Sequence, residues 1–199
     1  MSTTATTLDT AKARRAMIDS QLRTSGVNEE SILARMMAVP REDYLPEAKA
    51  PLAYIDRSVA VEGGALAAPL FYGKLLLEAA PVSDDRVLVV DGGTGYLTAL
   101  LGPLVANLET VSADHAAAGT KTKGEYTLIL VDGAVEQLPS SLTDKLVEGG
   151  RIVSGLLLRD VTRLAFGRKV SGQVSMQPVE DLGIPVLGQF AKPKSWSFS

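Results

Sequence analysis

The chain has 199 residues, 46% of them hydrophobic, and a formal net charge of −3. That length and apolar content suit one buried globular core, and nothing in the charge balance suggests the clustered basic face that nucleic-acid binding requires, so no nucleic-acid partner is expected. Cysteine is absent and His115 is the sole histidine, so disulfides, thiolate catalysis and cysteine-ligated metals are excluded and no metal site is expected.

The opening MSTTATTLDTAKARR lacks the apolar core of a secretory signal. No run of about 18 apolar residues occurs, so no membrane helix and a cytoplasmic location are expected. Residues 1–10 read as a disordered polar tail, 11–80 as a helical N-terminal lobe and 81–199 as an α/β core, all within a single domain. A helix is expected over 11–24, with Met17, Ile18 and Leu22 on one side and Gly26 as its stop. Asn28 is placed to cap a second helix running to Met37, which the Val39-Pro40 pair ends. Residues 45–68 are loop-rich with a sharp turn at Gly63-Gly64, and 70–79 are helical. An apolar run at 87–90 reads as a strand buried on both faces. A helix then begins at Tyr96 and is expected to kink or end early at Gly102-Pro103, because Pro103 has no N–H to donate. Strands follow at 110–112 and 128–131, a helix at 138–147 ended by Gly149-Gly150, and a strand at 151–154. Residues 161–170 and 173–179 form a hairpin turning at Ser171-Gly172, and Phe190, Trp196 and Phe198 make an aromatic C-terminus expected to pack on the sheet.

The segment RVLVVDGGTGYLTALL, 86–101, is the most informative. Strand, glycine-dense turn and helix in succession open a nucleotide-binding α/β sheet, whose turn brings backbone close to a bound group. Asp91, Gly92, Gly93 and Gly95 are therefore candidate cofactor contacts. Parallel sheets bind ligands at the carboxyl ends of their strands, which makes Asp132 a candidate pocket carboxylate, with a plain turn aspartate as the alternative. His115 lies in a small, polar, flexible stretch and reads as a solvent-exposed loop histidine rather than a catalytic one.

Taken together, MIDSQLRTSGV at 17–27, AVPREDYLPE at 38–47, AYIDRSVAV at 53–61, RVLVVDGGTGY at 86–96 and LTDKLVEGGRIV at 142–153 resemble the protein-L-isoaspartate O-methyltransferases in order and spacing. The resemblance implies a Rossmann-like methyltransferase sheet with a helical N-terminal lobe and a C-terminal β-hairpin, S-adenosylmethionine (SAM) as cofactor, and a protein or peptide substrate. It implies direct methyl transfer to an already ionised carboxylate, driven by alignment of the two partners.

The departures from that resemblance fall on the chemistry. In the loop GGALAAPL, 63–70, alignment on Pro69 puts Ala67 where the family has its acceptor serine, and a methyl group cannot hydrogen-bond a substrate carboxylate. Asp91 stands where the family's leading loop glycine belongs. It would either contact the cofactor's sulfonium or amino group or obstruct the pocket. Ser112 occupies the position expected of the ribose-binding acid; Asp114, two residues later, is either a substitute carboxylate or, the favoured reading, a solvated loop aspartate. Between the second and third strands only HAAAGTKTKGE, 115–125, remains, too short for a helix plus a strand. The resemblance therefore implies a sheet shortened at one edge, lacking the segment that carries the family's adenine-binding acid. An exposed edge of this kind invites a homodimer, unless Lys121 and Lys123 guard it. Three functions stay open: an active carboxyl methyltransferase, a family member with that activity lost or much weakened and serving as an interaction module, and a different nucleotide-binding enzyme such as an oxidoreductase.

Overall fold

Alternation along the third strand sets the layers of this molecule. Val87 and Val89 point to one side of the sheet and Leu88 and Val90 to the other, and all four are buried. A strand can be apolar at every position only when both faces are covered. The computed structural model describes residues 3–119 and 124–192.

Helix α1, Thr3–Met17, continues through a π-turn at Ile18–Leu22 and a 3₁₀ turn at Arg23–Ser25, and stops at Gly26 with φ +88°. It begins inside the segment read as a tail. The expected stop at Gly26 holds because the left-handed conformation there suits glycine. Helix α2, Glu30–Ala38, starts from Glu29 rather than Asn28 and ends at Val39 before Pro40. The loop-rich stretch contains a small antiparallel pair, β1 (Val59–Val61) and β2 (Gly64–Leu66), followed by α3, Pro69–Ala79. Strand β3 is Arg86–Asp91, and α4, Tyr96–Leu101, ends before Pro103 as expected. Strand β4, Asn107–Ser112, and the short α5, Ala113–Ala117, follow. Strand β5 is Tyr126–Val135, the single-turn α6 is Ser140–Thr143, and β6 is Leu146–Leu158. The hairpin is β7, Val161–Val170, and β8, Gln173–Asp181.

The helix expected at 138–147 is a correction. Leu138, Leu142 and Leu146 recur at helical spacing, but only Ser140–Thr143 is helical. Leu146 pairs with Tyr126 in the sheet, and β6 runs on through Gly149-Gly150 with a register shift. Sheet pairing overrode the local period here, and Gly149, at φ +77°, absorbs the irregularity.

The six-stranded sheet has the order β4-β3-β5-β6-β7-β8. The first four strands are parallel and the last two pairings antiparallel. The α/β class, the N-terminal helices and the C-terminal hairpin read from the sequence are all present. So is the shortened edge, because β4 is the outermost strand on its side among the described residues. One apolar cluster joins Met17, Leu22, Phe71 and Leu97 to the Val87–Val89 face, and a second joins Ala116, Leu142 and Phe190 to the Leu88–Val90 face. Phe190 thus packs as expected; Trp196, Phe198, Lys121 and Lys123 lie outside the described residues. No helix among the described residues is long and apolar enough to cross a membrane.

Candidate functional site

The turn between β3 and α4 carries Asp91, Gly92, Gly93, Thr94 and Gly95. Asp91 ends β3 opposite Ser112 of β4, so its backbone is fixed by the sheet. Its carboxylate turns into the loop, accepting from the Gly93 amide at 3.1 Å and the Gly95 amide at 2.8 Å. The next amide, Tyr96, donates to Thr94 Oγ1 at 3.3 Å.

The turn of the β1–β2 pair packs on this loop at backbone contact. A Cβ at Gly64 would lie 1.9 Å from the Gly92 carbonyl oxygen, and one at Gly93 would lie 2.8 Å from that of Gly63. The Ala65 amide donates to Gly92 O at 3.2 Å, which joins the two loops directly. A Cβ at Gly92 would meet Asp132 O at 2.2 Å on the opposite side. The three layers fit because each contact point lacks a side chain.

A cleft of about 220 Å³ opens beside the loop, with Gly63, Asp91, Gly93, Ser112, Asp114 and Gln189 in its wall. Of the residues singled out from the sequence, Asp91, Gly92, Gly93 and Asp114 meet at this cleft. Gly95 stands at the α4 N-cap with open space beside it. Ser112 accepts from the His115 amide and so caps α5, while Asp114 and His115 are exposed on that helix.

Asp132 lies beneath the loop rather than in the cleft, only 2% exposed. Burial pushes its carboxyl up to about 7, with the Asp91 charge adding to the rise, while the Tyr72 hydroxyl, the Arg41 guanidinium and the Gly92 amide pull the other way. Tyr72 donates to Asp132 Oδ2 at 3.3 Å and accepts from the Ala67 amide at 3.2 Å. Asp132 Oδ1 has no partner among the described residues. Burial, and next the Asp132 charge, raise the Tyr72 hydroxyl well above its ordinary range.

Ala67 is wholly buried, and its carbonyl accepts from Arg41 Nη2 at 2.7 Å. Arg41 is itself fully buried, donates through Nε to Ala53 O at 2.7 Å, and lies over the rings of Tyr72 and Tyr96 at 5.4 and 5.0 Å. Reading the sequence singled out neither Arg41 nor Tyr72. Arg41 stands in a quoted segment, 38–47, but nothing in its spacing marks it as interior, and Tyr72 sits on a helix with apolar neighbours. Together they hold the loop at Ala67 by its backbone amide and carbonyl.

A largely parallel sheet with a glycine turn after β3 and helices on both faces defines a Rossmann-like α/β fold of the nucleotide-binding kind. The family model described as protein-L-isoaspartate(D-aspartate) O-methyltransferase matches residues 12–118, more than half of the chain. A protein-L-isoaspartate O-methyltransferase of Koribacter versatilis (strain Ellin345) is 31% identical over 88% of this chain and 90% of its own. One of Methanoculleus marisnigri is 30% identical over 90% and 93%. Two solved structures share the fold. One is a Plasmodium falciparum protein described as a protein-L-isoaspartate O-methyltransferase, in complex with S-adenosyl-L-homocysteine (TM-score 0.69, 18% identity, 90% of this chain and 98% of that one). The other is a protein-L-isoaspartate O-methyltransferase (TM-score 0.70, 19% identity, 88% and 66%). The chain belongs to the protein-L-isoaspartate O-methyltransferase family.

Proposed function

We propose that this chain is a member of that family in which isoaspartyl carboxyl methylation is lost or much weakened. The observation that carries the reading is Ala67. At the position where the resemblance places the acceptor serine stands a buried methyl group whose amide and carbonyl are both taken, by Tyr72 and Arg41. No hydroxyl is left there to bind a substrate carboxylate.

The cofactor side supports the same reading. SAM is a poor match to the residues present: the loop amides of Gly93 and Gly95 are already bonded to Asp91, and the ribose position is a serine that caps α5. The cleft, about 220 Å³, is smaller than the roughly 300–1,000 Å³ of small-molecule pockets. Asp114 is the remaining carboxylate in its wall. The reading is tested by incubating the purified chain with methyl-labelled SAM and an isoaspartyl peptide. No transfer above background is expected, and steady turnover overturns the reading.

The reading includes a role in assembly, through a second copy of the chain. Strand β4 pairs with β3 over all six of its residues without a bulge and has no second strand partner among the described residues. The opposite edge, β8, carries Pro178 and a register shift, two features that discourage further pairing. Two β4 strands joined antiparallel about a two-fold axis would extend one sheet across a dimer.

A further inference from the structure

In a strand–turn–helix unit the turn amides form a cradle that attracts anionic groups. A nucleoside cofactor that bears a carboxylate, as S-adenosylhomocysteine does, would draw on such donors. Here three of those donors are spoken for from within. Asp91 Oδ2 takes the Gly93 amide, Asp91 Oδ1 takes the Gly95 amide, and the Thr94 hydroxyl takes the Tyr96 amide. Sheet pairing to Ser112 fixes the Asp91 backbone, so its carboxylate is delivered to the loop without loss of a mobile segment's entropy.

The other side of the loop is closed as well. The Gly92 carbonyl accepts from Ala65, and the Gly63-Gly64 turn sits at backbone contact with Gly92 and Gly93. The loop therefore cannot turn its amides elsewhere without breaking these contacts. An incoming carboxylate would meet a negative charge where it needs donors.

We infer that Asp91 is an internal occupant of the glycine loop, a fixed carboxylate that takes the place of a carboxylate-bearing nucleoside cofactor and keeps it out. The inference rests on the reading that methylation is lost or weakened, and it names the residue that excludes the cofactor. It concerns binding alone, whereas that reading is decided by transfer to a peptide, so the two can fail separately.

The test compares the wild-type chain with Asp91→Gly and Asp91→Asn by isothermal titration calorimetry. Two probes are used: S-adenosylhomocysteine, and 5′-methylthioadenosine, which has the nucleoside but no carboxylate. Asp91→Gly is expected to bind S-adenosylhomocysteine at least about tenfold more tightly than wild type, the worth of one recovered charge-assisted hydrogen bond. Asp91→Asn, which removes the charge and keeps the size, is expected to gain in the same direction by less. It also supplies the answer if the glycine variant does not fold. Binding of 5′-methylthioadenosine should not change between the three. Micromolar binding of S-adenosylhomocysteine by wild type overturns the inference. So does an equal gain for both probes, or the absence of any gain in both variants. Tight cofactor binding by Asp91→Gly without methyl transfer leaves both this inference and the functional reading standing.

Discussion

Asp132 gives the molecule a pH-dependent stability whose size follows from its burial. Its carboxyl titrates near 7 in the fold, chiefly because burial penalises the charge, against about 3.9 in an unfolded chain. The folded value is raised, so the folded state holds the proton more tightly. The associated stability is fully present below about pH 4, falls as pH rises, and is gone above about 7. The whole window corresponds to roughly 4 kcal/mol, of which about 2 kcal/mol falls between pH 5.5 and 7. Asp85 and Glu42 contribute no slope there. Burial works against their charge, but the Arg151, Thr127 and Val82 bonds to Asp85, and the Tyr54, backbone and Arg14 interactions of Glu42, hold both below the ordinary carboxylate range. Urea unfolding at pH 5.5, 6.5, 7.5 and 8.5 is therefore expected to show the wild type losing about 2 kcal/mol across the series, with an unchanged m-value. Asp132→Asn keeps the size and an acceptor for Tyr72 but cannot ionise. Its stability should vary by less than about 0.5 kcal/mol over the same range. A flat wild-type profile, or an equal slope in both proteins, refutes the reasoning.

Other expectations follow from packing and pairing. Removing Arg41 by Arg41→Ala leaves the Ala53 and Ala67 carbonyls without their donor and opens the space over two rings, so a loss of about 3 kcal/mol or more is expected in urea unfolding; a change below about 1 kcal/mol refutes it. Gly64→Ala places a methyl group 1.9 Å from Gly92 O, and a melting temperature within about 2 °C of wild type would contradict the close approach of the two loops. Ala67→Ser restores a hydroxyl at the acceptor position but leaves Asp91 in the loop, so no isoaspartyl methylation is expected from it; turnover by this variant would show that the acceptor side alone was deficient. Light scattering at high protein concentration should give a dimer, and Thr110→Pro, which blocks pairing on β4, should give a monomer; a wild-type monomer refutes the edge pairing.

The family, the α/β class and the positions of the main turns were legible in the chain because each rests on local chemistry. The apolar run at 87–90 could only be a strand covered on both sides, Pro103 could only shorten α4, and Ser171-Gly172 turned the hairpin with both residues at positive φ. The departures at Ala67, Asp91 and Ser112 are residue types read against the pattern that the resemblance implies. What they do was not legible in the chain. Asp91 offered two readings in the sequence, cofactor contact or obstruction, and the direction of its carboxylate follows from sheet pairing with a strand some twenty residues away. The burial of Arg41 and Asp132 depends on α3, β5 and the acceptor loop converging on one spot, which no spacing along the chain encodes. The helix expected at 138–147 failed for the same reason, since Leu146 gains more from the sheet than from its helical neighbours. Periodicity and turn residues are properties of neighbours in sequence, and they determined the elements. Hydrogen-bond partners and desolvation are properties of neighbours in space, and only the assembled sheet decided which donors of the glycine loop were left for a ligand.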